Sequence, residues 1–264
     1  MRHPDVVYLI IIVMYPERPF IIGIGGAHSK VGKTTLASQL IRRLTSGRPC
    51  GPSGNTPRVG AVKYSREDIF TSITDDEEII RESGSDTARL AGAGAEKIVW
   101  LRAPAEDMEE ALPLAMDRLA EMDIVVIEGN SAVTASGADI AVFIQGRSGG
   151  DPKPSAVRLM RIADIIIVKG GDCPGISATN TGVRDCAVLI HDYDEATEVI
   201  IRFMDDAARK KKIIELLGRR SSEGRITCAA ARSIAKETAA PCSEVGAAAD
   251  ELRIKICDCE LGCF

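Results

Sequence analysis

The chain has 264 residues, 38 of them acidic and 33 basic, for a net charge of −5; 45% are hydrophobic, 4% aromatic, and one is tryptophan. That length fits one large α/β domain, or a medium domain with a small appendage, and it can bury a core without disulfide staples. Mild acidity argues against a protein that coats nucleic acid, and the composition excludes collagen-like, coiled-coil and wholly disordered classes.

Residues 6–14, Val6-Val7-Tyr8-Leu9-Ile10-Ile11-Ile12-Val13-Met14, form an apolar run. A bilayer span needs about 20 such residues. The following Tyr15-Pro16-Glu17-Arg18-Pro19 offers no small-residue cleavage site for a signal peptide. Residues 1–19 therefore read as an N-terminal extension, either an extra strand or chain ahead of a start at Met14, and the expectation is a cytoplasmic protein that does not enter the membrane.

From residue 20 onward, short Ile- and Val-rich runs alternate with helical patterns. Strands are expected at 20–24, 58–63, 97–101, 124–127, 140–144 and 165–168. Most carry no internal charge, as suits strands covered on both faces. Helices are expected at 33–45, 86–93, 105–121 and 155–162. Repeated strand–helix alternation implies a mostly parallel sheet with helices on both faces. Segments 46–57, rich in Pro and Gly, and 65–84, polar and acidic, read as loops, the second long enough for a functional switch. A helix at 195–217 follows, and Gly218 offers its C-cap. The stretch 219–224 is the expected boundary between a nucleotide-binding domain, 20–218, and a small Cys-rich helical domain, 219–264. In the latter, helices at 228–237 and 244–252 around Pro241 resemble part of a helix-turn-helix unit, and Ile254-Lys255-Ile256 adds a strand or wing.

The strongest chemical signal is Ala27-His28-Ser29-Lys30-Val31-Gly32-Lys33-Thr34-Thr35. It follows the [AG]-x-x-x-x-G-K-[ST] phosphate loop, with alanine in place of the usual first glycine. Such a loop turns backbone N–H groups toward phosphate oxygens, its lysine reaches the terminal phosphates, and its hydroxyl binds Mg²⁺. The helix that follows directs its positive end at the same anion. His28, Ser29, Lys30, Val31, Gly32, Lys33, Thr34 and Thr35 are therefore the candidate nucleotide-binding residues, with Lys33 also a candidate catalytic group and Thr34 a metal ligand. A second signal is Asp123-Ile124-Val125-Val126-Ile127-Glu128-Gly129, a hydrophobic strand ending in a carboxylate. An acid at the C-terminal edge of such a strand holds Mg²⁺ or orients the attacking water, which selects Glu128 over Asp123.

With what joins them, these elements resemble the molybdopterin-guanine dinucleotide biosynthesis protein B (MobB) family, over residues 20–145. The likeness includes Gly60-Ala61-Val62-Lys63, then Gly84-Ser85-Asp86-Thr87-Ala88-Arg89, Ala93-Gly94-Ala95 and Ile127-Glu128-Gly129. Where that family follows its lysine with histidines, this chain has Tyr64-Ser65-Arg66, and the chain beyond residue 145 exceeds the usual family domain. The resemblance implies a phosphate-loop NTPase fold and a GTP-binding accessory protein with weak hydrolysis, acting with a partner protein in molybdopterin nucleotidyl transfer and expected to form a homodimer. It also implies that Lys63 neighbours the phosphates and Asp86 the Mg²⁺ and its water. On sequence alone Lys63 is equally a surface strand lysine, and Asp86 a good helix N-cap. No Asn-Lys-x-Asp signature encodes guanine, so ATP stays open beside GTP; Lys169-Gly170-Gly171-Asp172 could border the base. A second resemblance, through the Val-Gly-Lys-Thr loop ending, is to dethiobiotin synthetase. It implies an ATP-dependent ligase in which Lys63 stabilises developing charge.

The eight cysteines are Cys50, Cys173 and Cys186, then Cys228, Cys242, Cys257, Cys259 and Cys263. A secreted disulfide framework would be denser over a shorter chain. Cys257, Cys259 and Cys263, with Cys228 or Cys242 as the fourth, suit tetrahedral Zn²⁺ or an iron–sulfur cluster by number, but the C-x-x-C pairs are missing, so ordinary thiols are the preferred reading. Arg209-Lys210-Lys211-Lys212 and Arg219-Arg220 could meet DNA phosphates, yet solvated helix charge is the commoner origin of such a run, and nucleic acid is not the expected partner.

Overall fold

β-Branched side chains fit a pleated surface that is covered on both sides, and the Ile- and Val-rich runs of this chain become strands accordingly. The computed structural model describes residues 18–46, 56–146, 153–168 and 188–258. It divides into two units, Arg18–Ile201 and a unit beginning at Arg202.

In the first unit the strands are β1 (Phe20–Gly26), β2 (Val59–Arg66), β3 (Ser72–Thr74), β4 (Lys97–Ala103), β5 (Ile124–Glu128), β6 (Ile140–Gln145), β7 (Ile165–Val168) and β8 (Val188–Ile190). They form one sheet in the order β3-β4-β2-β5-β1-β6-β7-β8. Neighbours run parallel, save β3, which is antiparallel to β4. The helices are α1 (Lys33–Thr45), α2 (Glu77–Ile80), α3 (Asp86–Gly92), α4 (Met108–Asp117), α5 (Asn130–Ser136) and α6 (Pro154–Ile162). On one face, Val62, Val125, Ile127 and Phe143 pack with Leu112 of α4, Val133 of α5 and Leu159 of α6. On the other, α1 lies against β1 and β5 and buries Leu36, Leu40, Ile41 and Leu44 completely. The helices approach β1 so closely that a Cβ on Gly25 would fall 2.0 Å from Leu159 Cδ2 and 2.5 Å from Asn130 Oδ1, so a side chain there would displace both. This mostly parallel α/β sheet, with helices on both faces and the loop leaving its central strand, is the architecture expected from the sequence.

Several boundaries differ from those expected. The segment 65–84 is not a plain loop but holds β3 and α2, the latter capped by Asp76, whose carboxylate accepts from the Glu78 and Ile79 amides. The helix expected at 105–121 shortens to α4. Bonds of the i→i+3 kind, Leu119 N–H to Met116 and Met122 N–H to Leu119, tighten its far end into turns. β8 adds an edge strand beyond those expected. The apolar run 6–14, most of the loop 46–57, the stretch Lys169–Asp172, and Cys50, Cys173, Cys186, Cys259 and Cys263 lie outside the described residues.

Helix α7 (Tyr193–Arg220) begins in the first unit and ends in the second, with Asp194 and Glu195 in its first turn and Arg219 and Arg220 in its last, each complementing the helix dipole. The second unit continues through β9 (Arg225–Thr227), α8 (Cys228–Glu237), α9 (Cys242–Glu251) and β10 (Lys255–Cys257). β10 runs parallel to β9, with Ile256 opposite Ile226. Two helices thus separate two parallel strands, and Ile213, Leu217, Ile226, Ile234, Val245, Ala249, Leu252 and Ile254 form a core of their own. The Thr227 hydroxyl caps α8 by accepting from the Ala230 amide at 3.2 Å.

Candidate functional site

Register brings the site together. In the parallel rows β1-β5-β2, Ile24 pairs with Glu128 and Lys63 pairs with Glu128, so three strand ends are level where the phosphate loop leaves β1. That is the C-terminal edge at which open α/β sheets bind ligands.

The loop departs from the common pattern at Ala27, and the geometry explains why this is tolerated. Ala27 is buried and its N–H donates to the Ile144 carbonyl at 2.9 Å, an edge-of-sheet bond that any L-residue can make. The left-handed turns fall instead at Lys30 (φ 59°) and Gly32 (φ 107°). Gly32 is the N-cap of α1 and supplies no side chain, and the first turn of α1 carries no acid. The N–H groups of that turn are thus left to an anion. Ser29, Lys30 and Thr35 are exposed, while His28, Val31 and Lys33 are half-buried.

The Lys33 ammonium donates to the His28 carbonyl at 3.0 Å. Burial lowers its pKa from the ordinary value, with the nearby Lys63 and Lys153 charges acting in the same direction against Glu128 and Asp86. A desolvated cation at the mouth of an N–H-lined turn is suited to a phosphate that restores its counter-charge.

The buried Thr34 hydroxyl donates to the Glu128 carboxylate, 2.9 Å from Oε2 and 3.1 Å from Oε1. The Lys63 ammonium donates to Glu128 Oε1 at 2.5 Å and to Asp86 Oδ2 at 2.6 Å. Side-chain exposure is 2% at Glu128, 13% at Lys63 and 44% at Asp86. Lys63 is therefore not a surface lysine. Asp86 is not the N-cap either: Ser85 holds that place, its hydroxyl accepting from the Ala88 amide at 3.0 Å, which frees the Asp86 carboxylate to turn inward. Burial opposes ionisation of Asp86, but the hydrogen bond and charge of Lys63, helped by Thr34 and Arg89, hold its carboxyl below the usual value.

A hydroxyl and two carboxylates are hard oxygen donors, the set that fits Mg²⁺ once phosphate oxygens and waters complete its shell. Thr34, Glu128 and Asp86 therefore fit the metal. Among the described residues no three His, Cys, Asp or Glu side chains converge as a metal cage. Cys228 opens α8 and Cys257 ends β10, where its Sγ is 3.4 Å from the Ile226 carbonyl.

Three contributors are not among the residues to which the sequence assigns a role, although Arg89 closes the stretch 84–89 noted above. Asn130, at the start of α5, grips Gly26 with its side-chain amide, accepting from the Gly26 N–H at 2.9 Å and donating to its carbonyl at 3.0 Å. Arg89 donates to Thr35 Oγ1 at 3.1 Å and lies 3.6 Å from Asp86. The Tyr193 hydroxyl donates to the Val31 carbonyl at 3.2 Å. Asn130 thus fixes the entry of the loop, and Tyr193 its crest.

No helix among the described residues is long and apolar enough to cross a membrane. No protein-family model matches the sequence, and no curated protein matches it. Among solved structures, HypB from Helicobacter pylori in complex with nickel is similar over 78% of this chain and 95% of its own, at 14% identity and a TM-score of 0.40. The signal recognition particle receptor FtsY from Elizabethkingia anophelis is similar over 76% of this chain and 71% of its own, at 14% identity and a TM-score of 0.34. Likeness this distant leaves the chemistry of the site to the residues of this chain.

Proposed function

We propose that the protein binds a Mg²⁺–nucleoside triphosphate and hydrolyses it slowly, as a MobB-like GTP-binding accessory protein in the attachment of a nucleotide to molybdopterin. The observation that carries the nucleotide reading is the meeting of Thr34, Glu128 and Lys63 within hydrogen-bond distance at the start of α1, whose N-cap Gly32 offers its first turn no side-chain cap. In this reading Lys33 serves the terminal phosphates, Thr34 and Glu128 the metal, and Asp86 the metal's water. His28, Ser29, Lys30, Val31, Gly32 and Thr35 line the phosphates. GTP, the molybdopterin role, a partner protein, a homodimer and a cytoplasmic setting follow from the resemblance of residues 20–145 to the MobB family.

Competition between GTP and ATP for the purified protein, read by calorimetry with and without Mg²⁺, tests this. GTP is expected to win. An ATP preference would favour the dethiobiotin synthetase-like ligase, in which Lys63 faces a transferring phosphoryl group. A nucleotide-regulated DNA-binding module is the third reading, and the tail lends it little. Five of the six basic residues in the runs 209–212 and 219–220 are paired within the module: Arg209 with Asp206 and Glu244, Lys210 with Glu251, Lys212 and Arg219 with Glu215, and Arg220 with Glu237.

A further inference from the structure

Glu128 is 2% exposed, and an ionised carboxylate that far from water must have a cation beside it. The Lys63 ammonium provides that charge, and it does so on the oxygens a divalent metal would need: Glu128 Oε1 at 2.5 Å and Asp86 Oδ2 at 2.6 Å, with Thr34 on the same carboxylate. The position is built into the sheet, because Lys63 and Glu128 are paired residues of adjacent parallel strands and the tether between them is short. The second lysine of the site, Lys33, is held on the His28 carbonyl. The two lysines therefore hold different posts, one on the loop and one on the metal-ligand oxygens.

We propose that Lys63 is a resident stand-in for the divalent cation, so that metal enters only together with nucleotide. This rests on the nucleotide reading above. An ammonium and a hard metal ion cannot share Glu128 Oε1, so metal alone must displace Lys63 with no new partner to receive it. With a metal–nucleotide complex the exchange becomes favourable. Lys63 releases the carboxylates to the metal and is itself received by a terminal phosphate, so that no buried charge is left uncompensated. Lys63 is thus a loading and positioning residue, and the free protein is guarded against binding the metal by itself.

Mn²⁺ serves as the probe, titrated by electron paramagnetic resonance into the nucleotide-free full chain. Wild type is expected to bind it weakly. Lys63→Met should gain at least about tenfold in Mn²⁺ affinity, since it uncovers two carboxylates at contact distance. Lys33→Met removes the same charge from the same neighbourhood and should gain far less. Equal gains in the two variants, or no gain in Lys63→Met, overturn the proposal. Should Lys63→Met fail to fold, wild type is acylated with an amine-reactive ester and Lys63 read by mass spectrometry. Lys63 is expected to be equally shielded in the free protein with and without Mg²⁺, and to change in reactivity several-fold only when Mg²⁺ and a non-hydrolysable triphosphate nucleotide are added together. Unchanged reactivity is the contrary result. If wild type binds no Mg²⁺–nucleotide in the competition experiment, the nucleotide reading fails, whereas the contest between Lys63 and Mn²⁺ is still read in the free chain.

Discussion

In the unit Arg18–Ile201, the central ion pairs have been withdrawn from water: Lys63 with Glu128, at 13% and 2% exposure, extended by Asp86. From Arg202 onward, the pairs Arg209–Glu244, Lys210–Glu251 and Arg220–Glu237 keep between 29% and 46% of each side chain exposed. Burying charge costs more than the pair returns when an apolar substitute would fit, so its retention points to chemistry. Exposed pairs between long side chains cost little and contribute little. One unit carries electrostatic frustration at its centre, and the other keeps its charge pairs at the surface, around a core built mainly of Ile, Leu and Val.

The comparison is broken most directly at Glu128. Glu128→Gln leaves Lys63 short of a charge partner in a dry setting, and unfolding should become easier by about 3 kcal/mol. Urea denaturation measures this. In the folded variant hydrolysis should fall by about a hundredfold, more than nucleotide affinity does, because the carboxylate matters most as charge develops at the reacting phosphate. Equal losses in binding and turnover would make Glu128 a structural acid.

Lys33→Ala comes next, with the opposite pattern. Nucleotide affinity should fall about a hundredfold, or about 2.7 kcal/mol, by calorimetry, while stability holds or rises. The folded pKa of Lys33 lies below the ordinary value of 10.5, so between the two the unfolded chain binds the extra proton and stability climbs with pH. Below the folded value both states are charged and the cost of burial is fully present. The stability advantage of Lys33→Ala should therefore be largest near neutral pH and shrink as pH rises toward 10.5. An advantage that grows with pH would place Lys33 in a favourable ion pair.

Much of this was legible in the sequence, for a definite reason. The strand, loop and helix around Lys33 form one contiguous piece, and the helix observed is the one expected, Lys33–Thr45. Glu128 was legible because an uninterrupted apolar run has to stop at the sheet edge. What escaped acts through distance or through very short elements. Asn130 reaches Gly26 across 104 residues, Arg89 reaches Thr35 across 54, and Tyr193 reaches Val31 across 162. No local spacing encodes such contacts. β3 and α2 have three and four residues, too few for a period to show. Ser85 and Asp86 are both good caps, and only the Lys63 contact decides that serine caps while aspartate turns inward.

Local physics should be blind to the difference between the units. Ser85→Ala removes the cap of α3 and Thr227→Ala that of α8, and each should cost about 1 kcal/mol in stability. A much larger effect at Ser85 would mean that its cap also places Asp86, sharpening the contrast. Asp86 itself can be followed by pH. Its folded pKa is depressed, so its contribution is complete above the ordinary carboxylate value and is lost as pH falls through the folded one. Asp86→Asn should flatten that acid-side decline in urea midpoints. At 44% exposure the change should be modest.

The smallest expected effect tests the other side of the comparison. The Arg220 guanidinium lies 2.5 Å from Glu237 Oε2, joining the end of α7 to the end of α8, with the two side chains 34% and 46% exposed. Contact that short invites a structural role, but water competes for both groups, and ordering two long side chains has an entropic cost. A double-mutant cycle with Arg220→Ala and Glu237→Ala should give a coupling of about 0.5 kcal/mol. It should fade in molar salt, where the Debye length drops to about 3 Å. The salt dependence separates screened charge from packing, because the apolar stem of Arg220 could support α8 without any ion pair. A coupling above about 2 kcal/mol that survives salt would show the tail holding itself together by charge. Charge would then be structural in both units, and burial of Glu128 and Lys63 would lose its standing as the mark of the chemical one.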